Sequence, residues 1–555
     1  MRRKQTLSLL MLVTGIAAFV AALGVGAAGS ATKRAGSTEA LRGGTLKLNH
    51  ANADFDFVDP ALAYRTDDWA MLYTTSMPLV GFPEKSGAAG AQLYPLGATS
   101  FPTVSNAGKT YTFHVRPGMR FSDGSSVTAA AYQRSIERIL SPKMGSPLGV
   151  NVNLQDVIAG AGAFLDGKAQ HISGVSAKGL TLKITLTKPN ATFVPIMGMQ
   201  WFTPVEPSTP YTSQGLDTYP AAGPYYIASR DPGRSTVLKR NPYYHGPSRP
   251  SNPDQIVFTP NVNLDQSLLQ VKAGESDLDI GGLPPTATAS LGQQYGVNKS
   301  RFFVGPTSCV NYMSMNTARA PFDNVQLRKA VEYAIDRPAQ VRLLGAYAGR
   351  RTSQILVPGI PGYKPFNAYP LAGANVAKAK QIGGSAIASA PEINVVHTTS
   401  SYSTNRAQVA EFNLKQVGFK TNDVPTPATN FYQVVGTKGT TYNFTTNGGW
   451  CADYFDAYDY LNVLFDGRNI QPANNVGYSY FDSASFNKGL DHAASLSGAA
   501  RAAAYAKLDH DLMLQYAPVV PYLIVTNTYF TSKRVKNWVY SSYLGLPYFN
   551  ALSVG

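Results

Sequence analysis

Cysteine is scarce in this chain, and the short motifs of common enzyme families are missing. Its 555 residues include only two cysteines, so no Cys-x-x-Cys motif is present. The sequence also lacks His-Glu-x-x-His, Gly-x-Ser-x-Gly and a phosphate-binding loop ending in Gly-Lys-Ser/Thr. We therefore expect no enzymatic activity, no cofactor and no metal site. The alternative is a secreted hydrolase whose active site is assembled from residues far apart in sequence.

Charged residues are few, and acidic residues are outnumbered by basic ones. Only 15% of the residues are charged, and 48 Lys and Arg against 33 Asp and Glu give a net charge of +15. Apart from Arg2-Arg3-Lys4 the basic residues are scattered, and no predicted helix carries a basic stripe, so a nucleic-acid partner is not expected. A basic surface facing an anionic cell envelope accounts for the charge.

The N-terminal segment is typical of an exported protein. A basic cluster precedes an almost entirely apolar run from Leu7 to about Val25, and Ala27 to Ala31 offer cleavage sites. Residues 1–31 are therefore predicted to be a signal peptide or an uncleaved anchor, followed by a linker at 32–42. Because no cysteine follows the apolar run, we do not expect a lipobox lipoprotein.

Export changes the interpretation of the two cysteines, Cys309 and Cys451. In an oxidising compartment an isolated pair favours a disulfide over a metal or redox site. Two separate buried thiols are the alternative.

The first half of the chain predicts strands and one clear helix. A strand is predicted at Thr45–Leu48, and alternating apolar and polar residues predict strands at Lys109–Val115 and Leu180–Leu186. A helix is predicted from about Ala129 to Leu140. A chain of this length is too long for one core, so two or three lobes are expected.

The second half alternates between strands and helices. Asp323 or Asn324 is predicted to cap a helix, with Gln326 placed for a capping box after Asp323. A strand at Ile393–Val396, a helix at Thr404–Val417 ended by Gly418, and a strand beginning at Phe419 predict a βαβ unit and an α/β lobe. A further helix is predicted at Ala506–Leu514. Val519–Val525 is predicted to be an edge strand, or a crossing between lobes, because Pro521 interrupts it.

The segment Gly448-Gly449-Trp450-Cys451-Ala452-Asp453-Tyr454 places a carboxylate three residues after an indole, with no Lys or Arg nearby. An acid against aromatic surface either pairs with a cation or is costly to bury. Since the neighbouring sequence supplies no cation, a ligand is a candidate to supply it.

Separated motifs cover most of the chain after residue 42. They are Gly43-Gly44-Thr45-Leu46, Asp59-Pro60, the run from Tyr111 to Gly124 that ends in Phe-Ser-Asp-Gly, Gly223-Pro224-Tyr225, Asn316, Pro321-Phe322-Asp323-Asn324, Arg328-Lys329-Ala330 and Ala334-Ile335-Asp336-Arg337. Together they resemble the extracytoplasmic solute-binding proteins of family 5, the peptide-binding components of ABC importers. The similarity runs from about Gly43 to about Pro521.

The resemblance implies a site around the second cysteine. In oligopeptide-binding members, the segment similar to Trp450–Tyr454 holds an aspartate that pairs with the peptide α-ammonium. Asp453 would be that anchor, and Trp450, with Gly449 and Cys451, would form the ligand wall. Cys309 and Cys451 match the positions of a disulfide in some members.

The resemblance also implies the fold, an α/β two-lobed periplasmic-binding-protein-like fold of class II with an extra domain inserted in the first lobe. Lobe I would be discontinuous, comprising 43–85, 200–305 and 520–555. The inserted subdomain would span 86–199, and lobe II 306–519.

The function implied is capture of peptides by lobe closure and their delivery to a membrane ABC permease, by a monomeric protein outside the cytoplasm. The same fold binding an oligosaccharide, a metal complex or a cationic metabolite is the closest alternative.

Overall fold

The computed structural model describes residues 42–51, 53–146, 154–247 and 249–555. The predicted export segment at 1–31 and nearly all of the linker at 32–42 lie outside these ranges. Among the described residues, no helix combines the length and apolarity needed to cross a bilayer.

Within these ranges the strands form three larger sheets and two two-stranded pairs. They are β1 Thr45–Ala51, β2 Val80–Gly81, β3 Tyr94–Pro95, β4 Thr103–Ser105, β5 Thr110–His114, β6 Val175–Lys178, β7 Thr181–Thr185, β8 Tyr225–Asp231, β9 Ser235–Arg240, β10 Gln255–Val262, β11 Leu278–Asp279, β12 Phe302–Met315, β13 Gly349–Arg351, β14 Ile393–Thr398, β15 Thr421–Thr426, β16 Phe444–Cys451, β17 Val519–Phe530, β18 Tyr540–Ser541 and β19 Leu546–Pro547.

The helices are mostly short and lie between the strands. They are α1 Thr66–Thr75, α2 Ala129–Leu140, α3 Leu154–Val157, α4 Ala161–Leu165, α5 Phe193–Ile196, α6 Leu264–Ala273, α7 Thr288–Tyr295, α8 Val325–Ala334, α9 Arg337–Arg342, α10 Val376–Ala388, α11 Ser401–Val417, α12 Ala428–Gly436, α13 Tyr458–Phe465, α14 Ala484–Ser495 and α15 Gly498–Asp511. Short 3-10 turns lie at Gly87–Ala91, Gln200–Phe202, Pro285–Ala287, Gly467–Asn469 and Phe549–Ala551, and a π turn at Leu512–Tyr516.

The first sheet has five strands in the order β11-β1-β10-β9-β8. Strand β1 lies between β11 and β10 and runs parallel to both, with Leu48 opposite Phe258 and Leu278. The predicted strand at Thr45–Leu48 is confirmed and extends to Ala51, and its residues from Leu48 to Ala51 are all buried.

A four-stranded sheet, β4-β5-β7-β6, is formed by residues that lie between β1 and β8 in the chain. Helix α2 has the predicted bounds and packs on this sheet. The guanidinium of Arg138, in α2, donates to both carboxylate oxygens of Asp59 at 2.9 and 2.7 Å. Both side chains are fully buried, at 1% and 0% exposure, so this ion pair ties the inserted sheet to the segment that follows β1.

The largest sheet has six strands in the order β13-β17-β12-β16-β14-β15. The predicted βαβ unit is confirmed, because β14 and β15 are parallel and α11 connects them. Helix α11 begins at Ser401, earlier than predicted, since the Ser400 hydroxyl accepts the Ser403 N–H and caps the helix there. It ends as predicted at Gly418, whose φ of 114° lies in the left-handed region that glycine tolerates.

Of the two predicted caps, Asn324 is the one that caps α8, because its side chain accepts the Gln326 N–H, so the capping box predicted after Asp323 is wrong. Two further local predictions need correction. Helix α15 begins at Gly498, well before the predicted start, since the run of small residues at its beginning has no apolar periodicity. Strand β17 is not an edge strand, because β13 and β12 pair with its two sides.

The proline in β17 is accommodated at a local irregularity. Pro521 lies opposite Tyr312 where the register with β12 shifts, and β13 pairs only with Leu523 to Val525. A residue without an N–H therefore removes no hydrogen bond from a regular ladder. Val520 packs in the core under the six-stranded sheet and Tyr529 in that of the five-stranded sheet, so β17 crosses between two cores, as the second alternative predicted.

The predicted disulfide is present. Cys309 of β12 and Cys451 of β16 face each other in the ladder, with their Cα atoms 4.0 Å apart, and the bond closes a 142-residue separation. It fixes the end of β16 to its neighbour.

Reduction of this disulfide should lower the melting temperature by several degrees. Opening so long a loop restores roughly 4–5 kcal/mol of denatured-state entropy in the chain-entropy model. Calorimetry with and without reductant measures the shift, and the double variant Cys309→Ser/Cys451→Ser should melt at the lower temperature irrespective of reductant. An unchanged transition in reduced protein would argue against a stabilising role.

Candidate ligand-binding site

Strand β16 leads directly into the predicted site. Gly448 and Gly449 pair with Tyr312 and Asn311 of β12. A Cβ at Gly448 would stand 2.6 Å from the Tyr312 carbonyl oxygen, and one at Gly449 would stand 3.0 Å from Asn311 Oδ1. The close approach of the two strands therefore requires glycine at position 448. This approach also fixes where the loop after β16 begins.

The loop after β16 lies between two hydrophobic cores. Ala452 packs in the core around β12 and α13, whereas Tyr454 packs in the core that contains the five-stranded sheet. Phe455 contacts Phe82 and Tyr543, with ring centroids 5.5 Å away in each case. Asp453 is thus placed where the two halves of the folded chain meet.

Asp453 is almost fully buried, with 2% of its surface exposed. The Tyr64 hydroxyl, from the segment before α1, is 3.5 Å from Asp453 Oδ2 and donates to it. The Tyr543 hydroxyl donates to the Asp453 carbonyl oxygen at 2.7 Å. Residues from both ends of the chain therefore converge on this loop.

A second buried acid, Asp459, organises the site and was not predicted from the sequence. Its Oδ2 accepts the indole N–H of Trp450 at 3.0 Å and the backbone N–H of Asp453 at 2.9 Å. Its Oδ1 is buried without a hydrogen-bond partner. The available signal was an aspartate at the start of an otherwise apolar, Tyr-rich helix six residues after Asp453.

The site has two acids and no basic partner. Within the described ranges, no ion pair joins Asp453 or Asp459 to a basic side chain, and the nearby Arg501 pairs with Asp456 at 2.7 Å. Burial raises the pKa of Asp453 to about 8, against a smaller lowering by the Tyr64 hydrogen bond. Burial, and then the charge of Asp453, hold the pKa of Asp459 well above its usual range.

One side of the site is aromatic. The Tyr64 ring stacks on Trp201 at 5.6 Å between centroids, and Trp69 meets both rings edge-on. The hydroxyl that reaches Asp453 is therefore carried by a ring whose orientation is fixed by packing.

The structure brings together all four residues predicted for the site, Gly449, Trp450, Cys451 and Asp453, at the end of β16 and in the loop that follows. Cys451 is occupied by the disulfide, and the Trp450 indole N–H is directed to Asp459. In the part of the chain that is described, no three His, Cys, Asp or Glu side chains are grouped as a metal site would need.

Comparison with known families gives a match over most of the chain. Residues 92–472 match the model of the bacterial extracellular solute-binding proteins, family 5 Middle. The oligopeptide-binding protein OppA of Bacillus subtilis is 23% identical over 461 residues, covering 79% of this chain and 81% of OppA. The glutathione-binding protein GsiB of Escherichia coli K12 is 27% identical over 441 residues, covering 76% and 79% of the two chains.

A solved structure gives the same architecture. The clavulanic acid biosynthesis oligopeptide binding protein 2 superposes with a TM-score of 0.83 and 24% identity, over 93% of this chain and 96% of that one. The two-lobed α/β fold predicted from the sequence is thereby confirmed.

Replacing the buried acid should stabilise the ligand-free protein. Because the pKa of Asp453 is raised from 3.8 to about 8, the unfolded chain loses this proton first, and the free energy of unfolding falls as pH rises between those values. Asp453→Asn carries no charge, so at pH 8 it should be more stable than wild type by roughly 1–3 kcal/mol, and at pH 4 the difference should vanish.

Urea unfolding of the ligand-free protein at both pH values measures this difference. The exposed Asp166, paired with Lys168 on the surface, gives the control variant Asp166→Asn, which should show no such pH-dependent gain. A less stable Asp453→Asn protein at pH 8 would contradict the expected effect.

Proposed function

The chain belongs to the bacterial extracellular solute-binding proteins of family 5, and from this membership we propose that it captures peptides between its two lobes and delivers them to a membrane ABC permease. The observation that carries the proposal is a buried carboxylate without a cation, Asp453, at the junction of the two cores. A peptide α-ammonium supplies the missing charge. The relatives described above are binding proteins, and their names favour neither another class of solute nor a hydrolase.

Asp453 is the proposed anchor for the peptide N-terminus. An ammonium beside the carboxylate forms a charge-assisted hydrogen bond, which is about twice as strong as a neutral one. Tyr64 approaches the same carboxylate from the other half of the chain. Closure of the lobes around the ligand then excludes water and strengthens the pair.

Strand β16 offers a backbone edge beside this anchor. On one side it pairs with β12 as far as Cys451, but β14 pairs with its other side only at Phe444 and Thr445. The Thr446 carbonyl oxygen accepts the Arg406 guanidinium, and from Asn447 to Cys451 no described strand occupies that second side. An extended peptide can add there as a strand, which gives affinity through the backbone without selecting side chains.

We also propose the domain boundaries that the resemblance implies. Lobe I comprises 43–85, 200–305 and 520–555, the inserted subdomain 86–199, and lobe II 306–519. The chain acts outside the cytoplasm as a monomer and is not lipidated at a lipobox. The segment at 1–31 either is cleaved or tethers it to the membrane.

Binding should depend on a free peptide N-terminus and on Asp453. We expect calorimetry with alanine peptides of two to six residues to detect binding at one or more lengths. N-acetylation of the peptide, or the variant Asp453→Ala, should weaken it about 100-fold, because either change leaves one charge without its partner.

The control variant Asp166→Ala removes an exposed carboxylate that pairs with Lys168, and it should bind with unchanged affinity. Equal affinity for acetylated and free peptides would remove the anchor role from Asp453. Absence of binding to every free peptide would count against peptide capture itself.

A further inference from the structure

The second acid of the site, Asp459, has no role in the function proposed above. We propose that Asp453 and Asp459 hold one proton between them in the ligand-free protein, and that the ammonium of the ligand displaces this proton into solvent. Asp459 is a positioning residue in this scheme and does not touch the ligand. The inference rests on the proposed function for the identity of the displacing group.

A hydrogen bond from the Asp453 backbone to the Asp459 carboxylate holds the two acids close together. Asp459 Oδ2 accepts the N–H of Asp453 itself and the indole N–H of Trp450. These two donors satisfy one oxygen, while Oδ1 remains buried without a partner. The Asp453 carboxylate accepts a hydrogen bond from the Tyr64 hydroxyl. One donor on one acid and two on the other do not compensate two buried negative charges.

Among the residues that the structure describes, the side chains facing the pair carry no unpaired positive charge. Asp456 in the same loop is ion-paired with Arg501 of α15, so this couple is neutral. The phenols of Tyr454, Tyr460 and Tyr543 face the pair, and burial holds each pKa well above 10, so they are uncharged. The Tyr64 hydroxyl donates to Asp453, and the neighbouring cysteines are joined in the disulfide.

Two like charges in such an environment titrate as a pair, and the first proton to bind is held tightly. The raised pKa values of Asp453 and Asp459 agree with this arrangement. With one proton the ligand-free pair carries a single negative charge. Binding adds one positive charge and releases the proton, so the liganded site consists of two carboxylates and one ammonium.

The exchange makes peptide affinity depend on pH. Where one proton is released on binding, Kd falls about tenfold for each unit rise in pH. The rise in affinity ends where the α-ammonium itself loses its proton, at about pH 8. Affinity should therefore be weak in acid and greatest slightly above neutrality.

Calorimetry of the wild-type protein tests the exchange directly. The binding enthalpy of the alanine peptide that binds most tightly should be measured at pH 6 and 7 in buffers of different ionisation enthalpy. When the binding enthalpy is plotted against the ionisation enthalpy of the buffer, the slope gives the number of protons released. We expect half to one proton per peptide. A binding peptide with zero slope would overturn the inference and leave the proposed function standing.

The variant Asp459→Asn separates a shared proton from a purely structural role. Its amide oxygen can still accept the two N–H groups, so the loop geometry is preserved. With the second charge removed, Asp453 ionises more easily, and the release of protons should move to lower pH with fewer protons released at pH 7. The same slope and pH profile in wild type and variant would overturn the coupling.

If no alanine peptide binds, the proposed function fails. The shared proton can then still be tested by the pH dependence of stability in the ligand-free protein. A shared proton makes wild type lose stability as pH rises from 5 to 8 more steeply than Asp459→Asn does. The difference between their melting temperatures should therefore widen over this range. A difference that is independent of pH would show that the pair holds no shared proton.

Discussion

The pairing of β12 with β16 fixes the position of every acid in the site. The glycines of β16 allow the strands to approach, and the disulfide joins them at the last pair of the ladder. The chain then turns at once into the loop that carries Asp453, so the carboxylate is held by covalent and backbone constraints. A site that selects by charge needs this rigidity, because a mobile carboxylate would reach solvent and lose its preference for a ligand ammonium.

The unfavourable free energy of burying a carboxylate arises at the site itself, where a bound ligand can offset it. A buried carboxylate with no cation destabilises the ligand-free protein, and the ligand restores the balance when it arrives. Affinity therefore arises from relief of an unfavourable arrangement as well as from new contacts. The aromatic packing of Tyr64 against Trp201 keeps the opposite wall in place, so little ordering is required at the moment of binding.

The sequence predicted the elements whose periodicity is strong. Helix α2 and the βαβ unit around α11 followed from apolar spacing and from a terminal glycine, which are local signals. Pro521 misled because the short neighbour β13 and the irregular register with β12 are set by residues far away in the chain. Asp453 could be identified by resemblance, but Asp459 could not, since its importance comes from a turn that brings its carboxylate back to Trp450 and to the Asp453 amide.

The ion pair between Arg138 and Asp59 limits how this architecture can be shortened. Removing the inserted sheet, to obtain a minimal two-lobed binding module, would delete Arg138 and leave Asp59 as a fully buried, uncompensated charge. Trimming and substitution of Asp59 would have to occur in the same step. Loss of the insertion therefore requires two changes, deletion of the segment that carries Arg138 and replacement of Asp59. This holds for protein engineering and for evolution alike.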